Sequence, residues 1–423
     1  MRKIAFYTLG CKVNIYDTES LWEVFKKENY KRVDFSDFAD VYIINTCTVT
    51  NQSDSKSRKF IRQAIRKNEN AIIVAMGCYT QLKPDDVISI PGVDIVSGTQ
   101  NRRHIVKLVD EIYNERHFIN AVKPLNKQFD DLSVKNYTEN TRAFLKIQDG
   151  CNSFCSYCII PFARGDVVSK PVEKVISETK TLIAEGYKEI VLTGIHTGKY
   201  GLDIGYSITE IVKDLLELDG LFRLRISSIE INEITDELID TMKNNPKLAK
   251  HLHIPIQSGS NAVLKDMNRK YDKDYFIDRL NDIRIVSGIS ITTDCIVGYP
   301  TETEELFLET LDTIEKCEFA DIHIFPYSKR NGTKSSRLKD LDKKIKTNRV
   351  NKLTEIKNRA HFEYMKRFIG TIQEVIIEAS NSYSAGYTSN YIKTIIYDTL
   401  DINQVYRVKI VRIEAEHCVG EII

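Results

Sequence analysis

Short apolar runs alternate with segments of helical period through most of this 423-residue chain, and cysteines keep falling just after the runs. Within the first 115 residues, strand-like runs at 3–9, 41–45, 71–76 and 93–96 are separated by amphipathic stretches such as 16–28 and 55–67. That alternation predicts a parallel α/β sheet with helices on both faces. Ligands of such sheets bind beyond the carboxyl ends of the strands. Cys11 follows the first run, Cys47 the second and Cys78 the third, so the topology would gather three sequence-distant thiols on one rim. Gly10 and Gly77 directly precede two of them and permit tight turns that bring backbone near a ligand. The alternative is three separate buried thiols, since free cysteine is often core. The repeated placement after strands favours a trio.

A second trio is local. Cys151, Cys155 and Cys158 lie within Asp149-Gly150-Cys151-Asn152-Ser153-Phe154-Cys155-Ser156-Tyr157-Cys158. Three thiolates this close can hold three irons of a four-iron, four-sulfur cluster, which normally takes four cysteines. One iron is then open to a substrate or cofactor. Zinc is the other reading, but zinc takes four ligands, usually as two separated pairs. No further cysteine or histidine lies within twenty residues on either side. Cys295, Cys317 and Cys418 fall outside both trios and read as packing thiols.

Residues 118–141 lack clear periodicity and read as a linker. Strand-like runs resume at 143–148, 189–193, 222–227, 251–255, 290–297 and 321–325, with helical stretches such as 172–185, 261–267, 275–286 and 304–316 between them. These six βα-like units predict a partial barrel with its chemistry on the carboxyl-end loops. A basic helix at 343–368 follows, then β patterns at 371–377, 390–396 and 405–413 that predict a small β-barrel. The expected organisation is an α/β segment at 1–117, the linker at 118–141, a (βα)6 core with the basic helix at 142–368, and a β-barrel at 369–423.

The 42% hydrophobic content is enough for ordinary cores. Formal net charge is only +1, but residues 329–367 carry a net +10 and residues 53–67 a net +5. Such stretches suit a polyanion, with a solvated helix face as the alternative for either one. No stretch is long and apolar enough to span a bilayer. The run 4–9 before Gly10-Cys11 has the outline of a lipoprotein signal but is too short. Clustered unpaired thiols point to a reducing, cytoplasmic setting.

The Cys-x3-Cys-x2-Cys pattern, with Tyr157 just before its last cysteine, resembles the radical S-adenosylmethionine (SAM) enzymes. Adding Gly10-Cys11-Lys12-Val13-Asn14, Asn45-Thr46-Cys47 and Gly77-Cys78 narrows the resemblance to the methylthiotransferases. It covers nearly the whole chain, including His253-x-Pro255-x-Gln257-Ser258-Gly259-Ser260 and Met267-x-Arg269-x-Tyr271. The tail Gly386-Tyr387-Thr388-Ser389-Asn390-Tyr391 is similar to the family's RNA-binding β-barrel, the TRAM domain. Stretches 146–151, 159–165 and 191–198 most resemble the branch that acts on N6-threonylcarbamoyladenosine beside the tRNA anticodon. The last of them departs from the Gly-Gly-Glu of many radical SAM enzymes, which leaves open what holds the SAM amino group.

The resemblance implies two [4Fe-4S] clusters in one active centre, one on Cys151, Cys155 and Cys158, the other on Cys11, Cys47 and Cys78. SAM would chelate the open iron of the first and be cleaved by one electron to a 5′-deoxyadenosyl radical. That radical would activate the inert C2–H of the adenine. The second cluster would hold the sulfur, and a second SAM the methyl. Tyr157, Thr193, Gly194, Ser227, Gln257 and Gly298 are the expected SAM-binding residues. Lys56, Arg58, Arg62, Arg164, Arg349, Lys352, Tyr387 and Tyr391 are the expected RNA contacts, the tyrosines by stacking on bases. His196 and His253 read as structural histidines. Expected partners are the tRNA anticodon arm, a one-electron donor and a sulfur source. Other readings are a methylthiotransferase acting on N6-isopentenyladenosine tRNA or on a ribosomal protein aspartate, and a zinc-stabilised, non-catalytic RNA-binding protein.

Overall fold

The computed structural model describes residues 1–138 and 141–423; Glu139 and Asn140, within the expected linker, lie outside the described residues. Six parallel strands open the chain: β1 (Lys3–Thr8), β2 (Lys31–Val33), β3 (Val41–Thr46), β4 (Ile72–Gly77), β5 (Ile95–Val96) and β6 (Ile119–Asn120). They pair in the order β2-β1-β3-β4-β5-β6. The intervening helices are α1 (Lys12–Lys27), α2 (Asn51–Lys67), α3 (Cys78–Leu82), α4 (Pro84–Ile88) and α5 (His104–Asn114). β3 and β4 are buried along their whole length because both faces are covered. One face packs Phe6, Ile43 and Val74 against Leu21 and Phe25 of α1 and Val109 of α5. The other packs Tyr42, Ile44 and Ala75 against Ile61 and Ala64 of α2.

The four expected strands are present. The sequence reading missed β2 and β6, which are too short to carry a period. β6 falls inside the expected linker, and the rest of that stretch is no loose tether. Leu132, Val134 and Tyr137 are buried, and the Tyr137 hydroxyl donates to the Phe144 carbonyl.

The central strands are β7 (Arg142–Lys146), β8 (Gln148–Asp149), β9 (Val168–Ser169), β10 (Glu189–Thr193), β11 (Arg223–Ile226), β12 (His251–His253), β13 (Ser290–Val297) and β14 (Asp321–Pro326). Their helices are α6 (Ile160–Arg164), α7 (Val172–Ala184), α8 (Ile208–Leu216), α9 (Asp236–Asn244), α10 (Asn261–Asp266), α11 (Lys273–Ile283) and α12 (Glu304–Lys316). β7, β10 and β11 form one parallel sheet, and β12, β13 and β14 another. Bridges Leu224↔Leu248 and Ser228↔His253 join the two. The six strands thus follow one another around an open partial barrel, with β7 and β14 at its edges, and helices α7, α8, α9 and α11 bury their apolar stripes against it.

The long helix α13 (Lys343–Lys366) leads to a closed barrel of β15 (Ile372–Ser380), β16 (Ser384–Thr388), β17 (Lys393–Ile396), β18 (Val405–Glu414) and β19 (His417–Ile422). Five strands stand where three were expected, because β16 and β19 contain glycines and polar residues that blur alternation. This barrel docks on the amino ends of β10 and β11. Arg225 Nη1 donates to the Ser389 carbonyl (3.1 Å) and Arg223 Nη2 to the Glu374 carbonyl (3.2 Å). Tyr364, Met365 and Phe368 at the end of α13 share a core with Ile392, Ile410 and Cys418. Among the described residues, no helix is long and apolar enough to cross a membrane.

Candidate active site

Cys11, Cys47 and Cys78 stand at the carboxyl ends of β1, β3 and β4, three neighbouring strands of one sheet. Cys11 is the residue that enters α1, and Cys78 opens α3. Gly10 and Gly77 have φ of 103° and 110°, where a side chain is strained. A Cβ on Gly10 would also stand 3.1 Å from Cys47 Sγ. The three cysteines line a single cavity of about 870 Å³.

Cys151, Cys155 and Cys158 occupy the loop between β8 and α6. The Cys151 amide donates to the Gly165 carbonyl (2.9 Å) and the Cys158 amide to the Cys155 carbonyl (2.9 Å). Phe154 sits at φ 46°, and Asn268 Nδ2 holds its carbonyl at 3.1 Å. His196 Nδ1 lies 3.3 Å from Cys151 Sγ, and Arg269 Nη1 lies 3.3 Å from Cys155 Sγ. Burial opposes protonation of His196, but the Cys151 thiol and Glu233 push it up to about 9. Burial pushes the Cys158 thiol up to about 12. Cys158 lines a second cavity of about 200 Å³ with Tyr157, Gln257 and Asp294.

The two cavities share walls at Val49, Thr50, Ile160 and Phe325 to Ser328, so Cys158 and the trio of Cys11, Cys47 and Cys78 open onto adjoining space. Three sulfurs around one zinc ion would stand about 3.8 Å apart. Among the described residues, the only three His, Cys, Asp or Glu side chains whose ligand atoms all come within 4.8 Å are His253, Asp294 and His323, on β12, β13 and β14. Neither cysteine trio closes that far. Soft donor sets of three sulfurs fit a multi-iron cluster.

Of the expected SAM-binding residues, Tyr157 and Gln257 reach the smaller cavity, Gln257 at φ 65°. Thr193 is buried at the end of β10. The Ser227 hydroxyl lies 3.2 Å from that of Thr197. Gly194 meets the chain's own Gln148, whose Oε1 would stand 2.9 Å from an added Cβ. Gly298 packs against Lys346.

The expected RNA contacts need correction. Arg164 is only 3% exposed. Its Nε donates to Cys78 Sγ (3.2 Å), and Nη1 pairs with Asp17 (2.9 Å) and Asp149 (3.1 Å). Arg349 is buried on Glu302 at 2.5 Å, and Lys352 pairs with Glu304 at 2.9 Å. Much of the basic run on α13 is answered this way by acids of α12 and its flanks. Tyr391 is stacked between His251 (4.7 Å) and Tyr387 (4.9 Å), with Arg142 and Arg225 over the rings. These two tyrosines join barrel to core, and Tyr387 stays partly exposed. Arg58 donates to the Tyr79 hydroxyl at 2.7 Å, whereas Lys56 and Arg62 stand exposed on α2. The exposed aromatic pair of the barrel is Tyr383 and Tyr397, 6.4 Å apart.

Residues without an expected role complete the site. Asp17 on α1 receives Arg102 (3.0 Å), Lys146 (2.9 Å) and Arg164 (2.9 Å). Arg330, beyond β14, binds Asp54 (2.9 Å) and Thr48 (2.6 Å) next to Cys47. Nothing along the sequence marks them, since each is a charge among polar neighbours.

A profile described as "Uncharacterized protein family UPF0004" matches residues 3–98, and the "Radical SAM superfamily" profile matches residues 145–314. The threonylcarbamoyladenosine tRNA methylthiotransferase of Bacillus subtilis (strain 168) is 46% identical over 97% of this chain and 94% of its own length. Its counterpart from Aquifex aeolicus is 40% identical over 91% of this chain and 95% of its own. The chain belongs to the radical SAM methylthiotransferase family. A second kind of relative, the tRNA-2-methylthio-N(6)-dimethylallyladenosine synthase of Thermoanaerobacter sp. (strain X514), is 36% identical over 98% of this chain and 92% of its own. The solved radical SAM methyltransferase TsrM from Kitasatospora setae, with cobalamin and a [4Fe-4S] cluster bound, is alike in fold. Its TM-score is 0.57 at 15% identity, covering 77% of this chain and 75% of that one. The methylthiotransferase described here is thus an enzyme of [4Fe-4S] clusters and S-adenosylmethionine.

Proposed function

We propose that this methylthiotransferase places a methylthio group on C2 of N6-threonylcarbamoyladenosine beside the anticodon of tRNA, in the cytoplasm. One observation carries the reading: the trio Cys11, Cys47 and Cys78 at the ends of a parallel sheet, and Cys158 of the other trio, line adjoining cavities with a common wall. Cys151, Cys155 and Cys158 would hold the cluster that presents an open iron to SAM. Cys11, Cys47 and Cys78 would hold the other. When bound, these groups supply the one-electron chemistry that opens an inert C–H bond, together with the sulfur and the methyl.

The protein's part is position and exclusion. Ile160, Ile195, Ile324, Phe325 and Val350 give the larger cavity an apolar wall that suits an extruded adenine and keeps water out. Lys343 and Lys346 stand on its rim. Lys346 is held by Asp340 at 2.9 Å; Lys343 pairs with no carboxylate among the described residues. A free ammonium there suits the carboxylate of a threonylcarbamoyl group, whereas a dimethylallyl group would have no use for it. The 46% identity to the Bacillus subtilis enzyme supports the same substrate. The match to the radical SAM profile and the methylthiotransferase relatives speaks against a zinc-stabilised binding protein. Lys56 and Arg62 would follow the tRNA backbone, and Tyr383 with Tyr397 would offer the barrel's stacking faces. The electron and the sulfur would come from outside the chain.

The test is nucleoside mass spectrometry of tRNA treated with anaerobically reconstituted enzyme. Methylthiolated threonylcarbamoyladenosine is expected, and methylthiolated isopentenyladenosine in its place would overturn the substrate. Cys155→Ala should abolish reductive SAM cleavage. Cys47→Ala should keep some cleavage and yield no product; full product from Cys47→Ala would refute the second centre.

A further inference from the structure

The Arg164–Gly165 dipeptide touches both cysteine trios. Arg164 Nε donates to Cys78 Sγ at 3.2 Å, and the Gly165 carbonyl accepts the Cys151 amide at 2.9 Å. Both terminal nitrogens are held as well, Nη1 by Asp17 (2.9 Å) and Asp149 (3.1 Å) and Nη2 by Asn14 Oδ1 (2.5 Å). Asn14 is itself fixed by donating to the Leu9 carbonyl at 2.6 Å, on the turn that carries Cys11. The group is therefore locked in place, with no bulk water to screen it.

Charge accounting singles out the sulfur. Three buried cations, Arg102, Lys146 and Arg164, meet three carboxylates, Asp17, Asp130 and Asp149. The set is balanced without Cys78. A hydrogen bond from Arg164 to that sulfur is thus beyond what neutralising the acids requires. Arginine keeps its charge in any such site. A cation and an N–H on a ligand sulfur stabilise the more negative, reduced state of an iron–sulfur centre, and hydrogen bonds to sulfur are among the groups that set its potential.

We infer that Arg164 is a positioning residue that raises the reduction potential of the centre held by Cys11, Cys47 and Cys78. It ties that centre to the loop of Cys151, Cys155 and Cys158. Arg269 is its counterpart on the other trio, with Nη1 3.3 Å from Cys155 Sγ and 3.0 Å from Glu230. The inference rests on the proposed cluster assignment.

Redox titration followed by electron paramagnetic resonance, on full-length enzyme with both centres reconstituted, tests it. Arg164→Gln should shift the centre of Cys11, Cys47 and Cys78 to lower potential and leave the other in place. Arg164→Lys, which keeps the charge without the fork, should fall between. Arg269→Gln should shift only the other centre. Arg164→Gln carrying iron for both centres at unchanged potentials would overturn the inference. If that variant does not fold, Asp149→Asn decides, since removing a carboxylate that counters Arg164 should raise the same potential; no rise refutes the idea. Wild-type enzyme that takes up iron for only one centre would instead refute the cluster assignment.

Discussion

Single side chains decide how the two halves of the site are held. Asp17 lies on α1, yet it binds Lys146 of β7 and Arg164 of α6. Burial alone would raise its carboxyl, but Arg102, Lys146 and Arg164 hold it well below the usual carboxylate range. Asp17→Asn leaves three buried cations short of a partner, which typically costs about 3–5 kcal/mol. Urea unfolding should show a loss of that size. Lys343 governs substrate rather than stability. With Lys343→Glu, KM for tRNA carrying threonylcarbamoyladenosine should rise about tenfold, equivalent to about 1.4 kcal/mol, with kcat little changed. Affinity for the same tRNA carrying plain adenosine should move far less; an equal loss would make Lys343 a phosphate contact.

At the scale of elements, two basic helices that look alike in composition behave differently. α13 lies against α12, and Lys352, Arg359 and Arg367 pair with Glu304, Glu315 and Glu318. α2 has a single acid, Asp54, which is buried on Arg330. Its outward Lys56 and Arg62 remain open to a polyanion. Replacing both with alanine should weaken tRNA binding and lower the slope of log affinity against log salt by about one to two. Arg359→Ala should leave that slope unchanged. A drop from the α13 variant alone would reverse the assignment. Net charge along a sequence shows neither pairing nor facing, which is why both helices first read as RNA-binding.

Across the whole molecule, the C-terminal barrel is a structural member of the core. Arg223 and Arg225 rise from β11 to meet both Glu189 and the barrel's carbonyls. Burial opposes ionisation of Glu189, yet Arg225, Arg223 and Arg142 hold its carboxyl down to about 2, against an ordinary value of 4.5. A depressed carboxylate stabilises the fold above its unfolded value and loses that contribution as pH falls through its folded one. Thermal melts should therefore show the fold weakening from about pH 4.5 toward 2. Glu189→Gln should melt lower at neutral pH and with a shallower acid slope. Removing residues 370–423 would strand these arginines and bare Tyr364 and Phe368, so truncation reports on folding before it reports on RNA.

Strand-then-cysteine order sufficed to place Cys11, Cys47 and Cys78 at strand ends, the tight Cys151–Cys158 spacing to gather three more thiols in one loop, and the alternation of runs to name the fold class, because all three are local patterns along the chain. The sequence alone also carried the family, through motifs spread from Gly10 to Tyr391. What the three-dimensional fold added was everything set by pairing at long range. It made Arg164 the partner of Cys78, placed Tyr387 and Tyr391 at a domain seam, and cancelled much of the charge on α13. A buried ion pair or a stacked ring has its partner dozens to hundreds of residues away, and no period or composition along the chain encodes that distance.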